Sequence, residues 1–186
     1  MKRYVIYVMV VLLASTSFKA SAQRFSVSTN LLDYVCLGTI NAECSYSVSR
    51  SWSLTFGAEY NPFTFREGQE DQFQLRQQSY SVGARLWSWH TWSGWWISGK
   101  VKYQEYNFGG ILSRETDEGD RAGIGLYAGY TYMVSPHFNM EFGLGGWGGM
   151  DWFRSYSCQQ CGLIQNSGRR WFLLPDDIMI SLVYVF

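Results

Sequence analysis

The sequence lacks an excess of charge of either sign. Its 15 Lys and Arg residues balance 15 Asp and Glu residues, so the formal net charge is zero. Proteins that bind nucleic acid or an anionic surface through electrostatics usually carry a basic excess. We therefore expect no nucleic-acid partner. After residue 22 the chain also lacks an apolar run long enough for a membrane-spanning helix, which needs about 20 residues.

The first 22 residues have the pattern of a secretory signal peptide. Lys2 and Arg3 precede an apolar run from Tyr4 to Ala14, and Ala20-Ser21-Ala22 forms a small-x-small cleavage site. The apolar run is too short to cross a membrane as a helix. No cysteine follows the cleavage site, which disfavours a lipid-anchored lipoprotein.

What remains, residues 23–186, is rich in alternating patterns and has no Pro-, Gly- or Ser-rich linker that would divide it into domains. Aromatic side chains make up 18% of the whole chain. Apolar and polar residues alternate in eight segments, as in strands with one apolar face. These segments are 25–31, 40–48, 52–60, 80–86, 95–104, 124–132, 138–145 and 180–186. Each is close to the roughly 9–11 residues that cross a bilayer as a tilted strand.

Short connections alternate with long ones between these segments. The short ones lie at 49–50, 90–93 and 135–137, and the long ones at 61–77, 107–120 and 149–175. The link between the first two strands, around 34–38, is the one short connection on the side of the long ones. Short periplasmic turns and longer outer loops are typical of outer-membrane barrels. We therefore predict an all-β fold, an eight-stranded antiparallel transmembrane β-barrel of OmpA/OmpX-like architecture, with both termini in the periplasm.

The alternation alone leaves open which way the apolar face points. A soluble exported barrel that binds a ligand would turn it inward, and a membrane barrel would turn it outward. Two features favour the membrane. The polar face is rich in Gly and Ser and poor in charge, which suits a narrow lumen, and aromatic residues cluster at strand ends, as they do at membrane interfaces.

The last strand gives a third reason to favour the membrane. Ile180, Leu182, Tyr184 and Phe186 share one face, and a terminal Phe on such a strand resembles the signal that outer-membrane barrels present to the barrel-assembly machinery. Pairing this strand with the first would leave no free edge. We expect the protein to lie in the bacterial outer membrane. Its expected partners are membrane lipid, lipopolysaccharide and the assembly machinery.

Six charged residues fall on the predicted lumen face. They are Glu43, Glu59 and Glu141 on the acidic side and Arg85, Lys100 and Lys102 on the basic side. Equal numbers suit a narrow interior, because an unpaired buried charge is costly and eight strands enclose little more than side-chain space. We predict a salt-bridged plug with no open pore. A gated path for protons or small ions is the alternative.

Three cysteines fall in predicted outer loops. Cys158 and Cys161 form a C-x-x-C pair in the longest loop, and Cys36 lies in the first. A structural disulfide, free loop thiols, a metal site and redox chemistry remain open for them. Cys44 falls on the lipid-facing side of the second strand, where it would behave as a small apolar residue.

Catalytic residues are scarce, so we predict no enzyme activity and no cofactor. A barrel enzyme usually places a His base near its outer rim, but His90 and His137 fall in predicted periplasmic turns. Acidic residues of the long connections, Asp151 and Asp176 among them, are expected to be solvated charges. An outer-membrane enzyme acting on envelope lipid is the alternative function.

The chain resembles the DUF3575 family of Bacteroidetes over essentially all of the mature part. The resemblance rests on VSTNLLDYVCLGTINAECSYSVSRSWSL near the start, on C-x-x-C-G, and on Trp171-Phe172, Pro175 and ISLVYVF at the end. The chain reads FLLPDD where the family tends to read F-G-P-T-K. The resemblance implies an outer-membrane barrel of unknown function, with fimbrial or OmpA-like envelope proteins as candidate partners. Together with the residues, it leads us to expect a structural, surface-display or assembly-accessory role.

Overall fold

The computed structural model describes residues 23–35, 38–66, 72–110, 115–157 and 163–186. Within these ranges the chain forms one short helix and nine strands. They are β1 (Phe25–Asn30), α1 (Leu31–Val35), β2 (Ile40–Ser49), β3 (Trp52–Asn61), β4 (Thr64–Phe65), β5 (Phe73–Trp87), β6 (Gly94–Gly109), β7 (Thr116–Met133), β8 (Phe138–Tyr156) and β9 (Ile164–Val185). None of the helical structure in this part of the chain is long and apolar enough to span a membrane.

Eight of the strands form a closed antiparallel ring. Sequence neighbours pair with each other, β3 pairs with β5, and β1 pairs with β9 to close the circle. The two-residue strand β4 pairs only with the start of β5 and lies outside the ring. The predicted all-β fold with eight antiparallel strands in a ring is therefore confirmed.

The strands extend much further on one side than the alternation predicts. β5 begins at Phe73, β6 ends at Gly109, β8 ends at Tyr156 and β9 begins at Ile164. The predicted long connections at 61–77, 107–120 and 149–175 are therefore wrong over much of their length. In these extensions polar residues occur on both strand faces, so the apolar alternation ends there. The strands nevertheless continue to pair with their neighbours. Leu31 also differs from the prediction, because it begins α1.

The short turns lie together at the end of the ring where the described chain begins, at Gln23, and where it reaches Phe186. Residues 50–51, 88–93 and 134–137 connect the strands there, close to the predicted positions. Phe186 belongs to the same end, where its amide nitrogen donates to the carbonyl oxygen of Phe25 at 2.8 Å. We call this the terminal end of the ring and the opposite side the extended end.

Polar side chains point into the ring and apolar side chains point out. The inward residues are buried and include Ser26, Ser45, Ser53, Thr55, Ser79, Arg85, Ser98, Lys100, Lys102, Gln104, Thr131, Asn139, Glu141 and Ser181. The outward residues are exposed and include Ile40, Tyr46, Trp52, Leu54, Phe56, Tyr60, Tyr80, Val82, Trp95, Ile97, Val101, Tyr103, Ile124, Leu126, Tyr132, Phe138, Phe142, Leu144, Ile178, Leu182 and Tyr184. This distribution is the reverse of that in a water-soluble domain.

A β-bulge interrupts β9. Leu144 of β8 pairs with Ile178, but Gly146, two residues along, pairs with Pro175, three residues away. The extra residue on β9 changes which side chains face inward. Below the bulge Met179, Ser181 and Val183 point inward. The bulge also allows Asp176 to enter the ring, as described next.

Candidate functional site: the interior of the ring

Arg85 on β5 joins two carboxylates across the interior. Its Nη2 donates to Oε1 of Glu43 at 2.8 Å, and its Nη1 donates to Glu141 on β8. Lys100 on β6 donates to the other carboxylate oxygen of Glu43 at 2.5 Å. Arg85 is only 3% exposed. These four charges therefore form a continuous ion-pair chain that connects four strands of the ring.

Lys102 forms a second group of charges, two residues further along β6. Its Nζ lies 3.3 Å from Oε1 of Glu59 and 2.8 Å from Oδ1 of Asp176. The hydroxyl of Ser79 donates to Glu59 at 2.8 Å, and the hydroxyl of Tyr127 donates to Asp176. The β9 bulge thus brings a fourth acid into the interior and fixes it with two donors.

All six predicted lumen charges, Glu43, Glu59, Arg85, Lys100, Lys102 and Glu141, lie inside the ring and take part in these ion pairs. With Asp176 they make up what we call the interior network. Sequence reasoning placed Asp176 among solvated loop acids, and that placement is wrong. The adjacent Pro175 is the one sequence feature that hints at an irregular strand there.

Aromatic rings cover the interior cations. The Arg85 guanidinium carbon lies 4.0 Å from the ring centre of Trp96, and Lys100 lies 4.8 Å from that of Tyr127. Cation–π contacts are strongest where water is excluded. Gly145 makes room for one of these rings, because a Cβ at that position would stand 2.1 Å from the Tyr127 ring.

The space left beside the interior network is small. A cavity of about 50 Å³ lies among Asn30, Asp33, Glu43, Arg85 and neighbouring side chains. A single water occupies about 30 Å³ of liquid volume. The cavity is therefore far smaller than the pockets of several hundred cubic ångströms in which proteins bind organic ligands.

Helix α1 covers the interior network at the extended end. Buried Asn30 caps the helix, since its side-chain oxygen accepts from the Leu32 amide at 3.3 Å. The same oxygen accepts from the Ile180 amide at 3.0 Å, and its side-chain nitrogen donates to Asp33 at 2.9 Å. The Asn30-Leu31-Leu32 motif therefore joins α1 to β9.

Asp33 lies in α1, where its surroundings shift its pKa. Burial, followed by repulsion from Glu59 and Asp176, raises its pKa to about 7, although Lys102 and the Asn30 hydrogen bond act in the opposite direction. Three acids thus surround one lysine at this point. The alternation pattern gave no signal for Asp33, because it lies in a connection between two strands.

A second group of charges lies further toward the extended end. Asp151 is 0% exposed and accepts from the Tyr106 hydroxyl at 2.8 Å and from Nε of Arg170 at 2.7 Å. Arg121 lies 3.5 Å from the same carboxylate, and Arg170 also donates to Asp117 at 3.2 Å. The expectation that Asp151 is a solvated loop charge is wrong, because β8 continues to Tyr156.

Tryptophan side chains fill the terminal end of the ring. Trp87, Trp92 and Trp96 are buried together with Met179, Val183 and Val185. The Trp87 ring lies 5.7 Å from Trp92 and 6.5 Å from Trp96. Trp92 belongs to a turn and has a φ of 73°, which is rare for a bulky residue. Its indole nitrogen donates to the Gln23 carbonyl oxygen at 2.9 Å. We call this cluster the tryptophan seal.

The remaining predicted residues divide by position. Cys36, Cys158 and Cys161 lie outside the described residues. Cys44 pairs with Val27 and Phe56 in the sheet and is a free thiol. His90 and His137 lie in turns at the terminal end. In the described part of the chain no group of three or more His, Cys, Asp or Glu is arranged to hold a metal ion.

The C-terminal residues alternate as the sequence indicates. Leu182, Tyr184 and Phe186 are exposed on the outer surface, and Ile180 is partly exposed. The Tyr184 ring lies 4.7 Å from Phe186 and 4.9 Å from Phe138. These residues form an aromatic outer edge at the terminal end, where β9 pairs with β1.

Comparison with known proteins identifies a family that the chain matches but does not assign a function. The profile of a family described as "Protein of unknown function (DUF3575)" matches residues 7–186. A search of curated proteins finds no match for this chain.

Proposed function

Because the chain belongs to the DUF3575 family, as its motifs indicated, and that family has no known function, we propose a role from the structure itself. We infer that the protein is a small outer-membrane β-barrel without an open pore. It serves a structural, surface-display or assembly-accessory role. The single observation that carries this proposal is the reversed distribution of side chains, polar inside and apolar outside.

The outward apolar surface has the dimensions that a bilayer requires. On β6 it runs from Trp95 to Tyr103, and Glu105 follows; on β7 it runs from Tyr132 to Ala122, and Asp120 follows. Each run spans the roughly 9–11 residues of a tilted membrane strand. A continuous exposed apolar surface of this kind would cause aggregation in water, whereas lipid stabilises it.

Backbone pairing supports the same conclusion. Each strand of the ring has a partner on both sides, as the hydrocarbon region demands of any spanning sheet. The first part of β9, from Ile164 to Leu174, has a strand partner on one side only in the described residues. We call it the upper part of β9. That part therefore belongs outside the hydrocarbon, on the side away from the termini, which is the outer side if both termini are periplasmic.

A closed interior favours a structural role over transport. The tryptophan seal fills one end, and the interior network crosses the middle. The acids and bases of the interior network form ion pairs with one another, and both histidines lie in turns at the terminal end. We therefore favour a protein that holds or presents a surface over an enzyme acting on envelope lipid.

A charge placed on the outer surface tests the membrane proposal. Leu126 is 72% exposed near the middle of the β7 apolar run, and Leu163 is 76% exposed beyond the ring. In a bilayer, Leu126→Arg should lower the free energy of unfolding by about 2–4 kcal/mol. Leu163→Arg is the matched control and should change it by about 0.5 kcal/mol or less. Urea titration of protein folded into lipid vesicles measures both.

A water-soluble barrel would give the opposite result. Both substitutions would then replace a solvated leucine, and their effects would be equally small. The mature protein would also stay monomeric without detergent. Either outcome overturns the membrane proposal.

A further inference from the structure

The upper part of β9 presents an unpaired strand edge. β1 pairs with β9 only from Ser181 to Val185, and Asn30 contacts the β9 backbone at Ile178 and Ile180. From Ile164 to Leu174, β8 is the one strand that pairs with β9 among the described residues. Within the part of the chain that the structure describes, one edge of backbone donors and acceptors is therefore left without a strand partner along this stretch.

The opposite margin of the extended end, by contrast, is covered by other strands. β4 pairs with β5 through Thr64–Gln74 and Phe65–Phe73. The Phe65 and Phe73 rings stack at 4.9 Å, and β3 continues the cover from Asn61. Exposed edges invite pairing with other chains, and proteins usually cover or shorten them. Here the same sheet covers one margin and leaves the other open.

The outer face of the open edge carries one guanidinium and no carboxylate. The segment from Ile164 to Leu174 contains Arg169 and Arg170 and no acidic residue. Arg170 points inward to Asp151 and Asp117. Arg169, Trp171 and Leu173 are exposed on the outer face. A neighbouring strand would therefore meet a guanidinium and two apolar side chains at alternate positions.

From these observations we propose that this edge, Ile164–Leu174, binds an extended segment of another protein by β-strand addition. The bound segment carries acidic side chains opposite Arg169 and apolar side chains opposite Trp171 and Leu173. Main-chain hydrogen bonds supply affinity in this mode, and alternate side chains supply specificity. A second copy of this chain fits less well, because two β9 edges side by side would bring together two outward-facing Arg169 side chains and no acidic side chain from either segment.

Synthetic peptides test the proposal on the full-length mature protein in detergent micelles. The acidic probe alternates valine with glutamate, and the basic probe replaces each glutamate with lysine. A third probe is the acidic peptide with every backbone nitrogen methylated, so that neither edge of it can donate. The acidic probe should bind and slow amide hydrogen exchange in residues 164–174. The basic probe should bind much more weakly, and the methylated probe should not bind, because it cannot form the strand ladder.

Two variants with the same charge change separate the edge from the rest of the surface. Arg169→Glu should weaken binding of the acidic probe about tenfold, since an opposite-charge pair becomes a like-charge pair. Arg76→Glu changes an exposed arginine on the opposite margin and should leave binding unchanged. Circular dichroism confirms that both variants fold.

Four results would overturn the proposal. They are equal binding of acidic and basic probes, no binding of the acidic probe at millimolar concentration, binding without protection of residues 164–174, and peptide-free dimers that protect this segment. The last result would identify a second copy of the chain as the occupant of the edge.

Discussion

Arg85 is a buried cation of the interior that contacts two carboxylates and an aromatic ring. It is the cation that lies between Glu43 and Glu141, and its guanidinium also packs on Trp96. Removing one member of a buried ion pair leaves an uncompensated charge, which costs more than the pair contributes. Arg85 is therefore a sensitive test of whether the interior network stabilises the fold.

We predict that Arg85→Ala lowers the free energy of unfolding by about 3–5 kcal/mol, because two buried carboxylates lose their shared partner. Urea titration in lipid vesicles checks this value. Arg76→Ala removes an exposed arginine of the same strand and serves as the control, with an expected change of about 0.5 kcal/mol or less.

The double variant Arg85→Met with Glu141→Gln gives an internal check on this prediction. It removes a cation together with one of its carboxylate partners, so its effect should be clearly smaller than the sum of the two single effects. Additive effects would mean that Arg85 and Glu141 do not interact energetically.

Helix α1 should make the stability of the protein depend on pH. It brings Asp33 to a site where ionisation is unfavourable, with a pKa of about 7 against an ordinary value of 3.8. The unfolded chain loses this proton near pH 4, whereas the folded chain keeps it until about pH 7. Between these limits the folded state binds more protons, so stability falls as pH rises.

We predict that the free energy of unfolding of the unmodified protein falls relative to that of Asp33→Asn as pH increases from about 4 to about 7. Above pH 7 the difference should become constant, because Asp33 is then ionised in both states. Titrating groups that do not interact with Asp33 cancel when the two proteins are compared. Parallel stability curves across this range would show that α1 does not impose a cost on ionised Asp33.

The strands show how far alternation predicts this fold. Within the apolar runs, each strand and its inward face follow from the alternation, and all six lumen charges were identified in this way. The extensions of β5 to β9 were missed, because Gln, Asp, Glu, Arg and Ser occur on both of their faces. Their strand character depends on pairing between distant segments, as at Asp151 with Arg170.

The interior contacts were harder to predict than the strands. The partner of each lysine or arginine depends on how the strands are displaced around the ring, which alternation does not determine. Asp176 enters the network because a bulge adds one residue to β9, and Asp33 enters because a connection forms a helix over the opening. Both depend on tertiary structure and have no periodic signal.

Because the tryptophan seal and the interior network both fill the interior, we expect the protein as a whole to be closed to ions. The tryptophan seal and the interior network lie one above the other, so an ion crossing the ring would have to displace both. We predict that the protein gives no stable conductance in a planar lipid bilayer. Vesicles loaded with a pH-sensitive dye should likewise hold a proton gradient.

Two tryptophan variants make this prediction specific. Trp87→Ala removes a buried ring of the seal, and Trp89→Ala removes an exposed ring from a turn at the same end. Proton leak should rise for Trp87→Ala and stay unchanged for Trp89→Ala. A steady conductance in the unmodified protein would contradict a closed interior.

The bulge in β9 limits how this strand can change in length during evolution. On the N-terminal side of the bulge odd-numbered residues such as Trp171 face outward, and on its C-terminal side even-numbered residues such as Ile178 do so. Losing one residue between Pro175 and Ile178 would remove the bulge and leave Arg170 and Phe172 facing inward, because a single residue of β9 would then lie opposite Gly145. Elsewhere in β9 a one-residue change would turn the side chains on one side of it to the other face. Inherited insertions and deletions should therefore occur in pairs of residues in the regularly paired parts of β9, and single-residue deletions should be confined to the bulge.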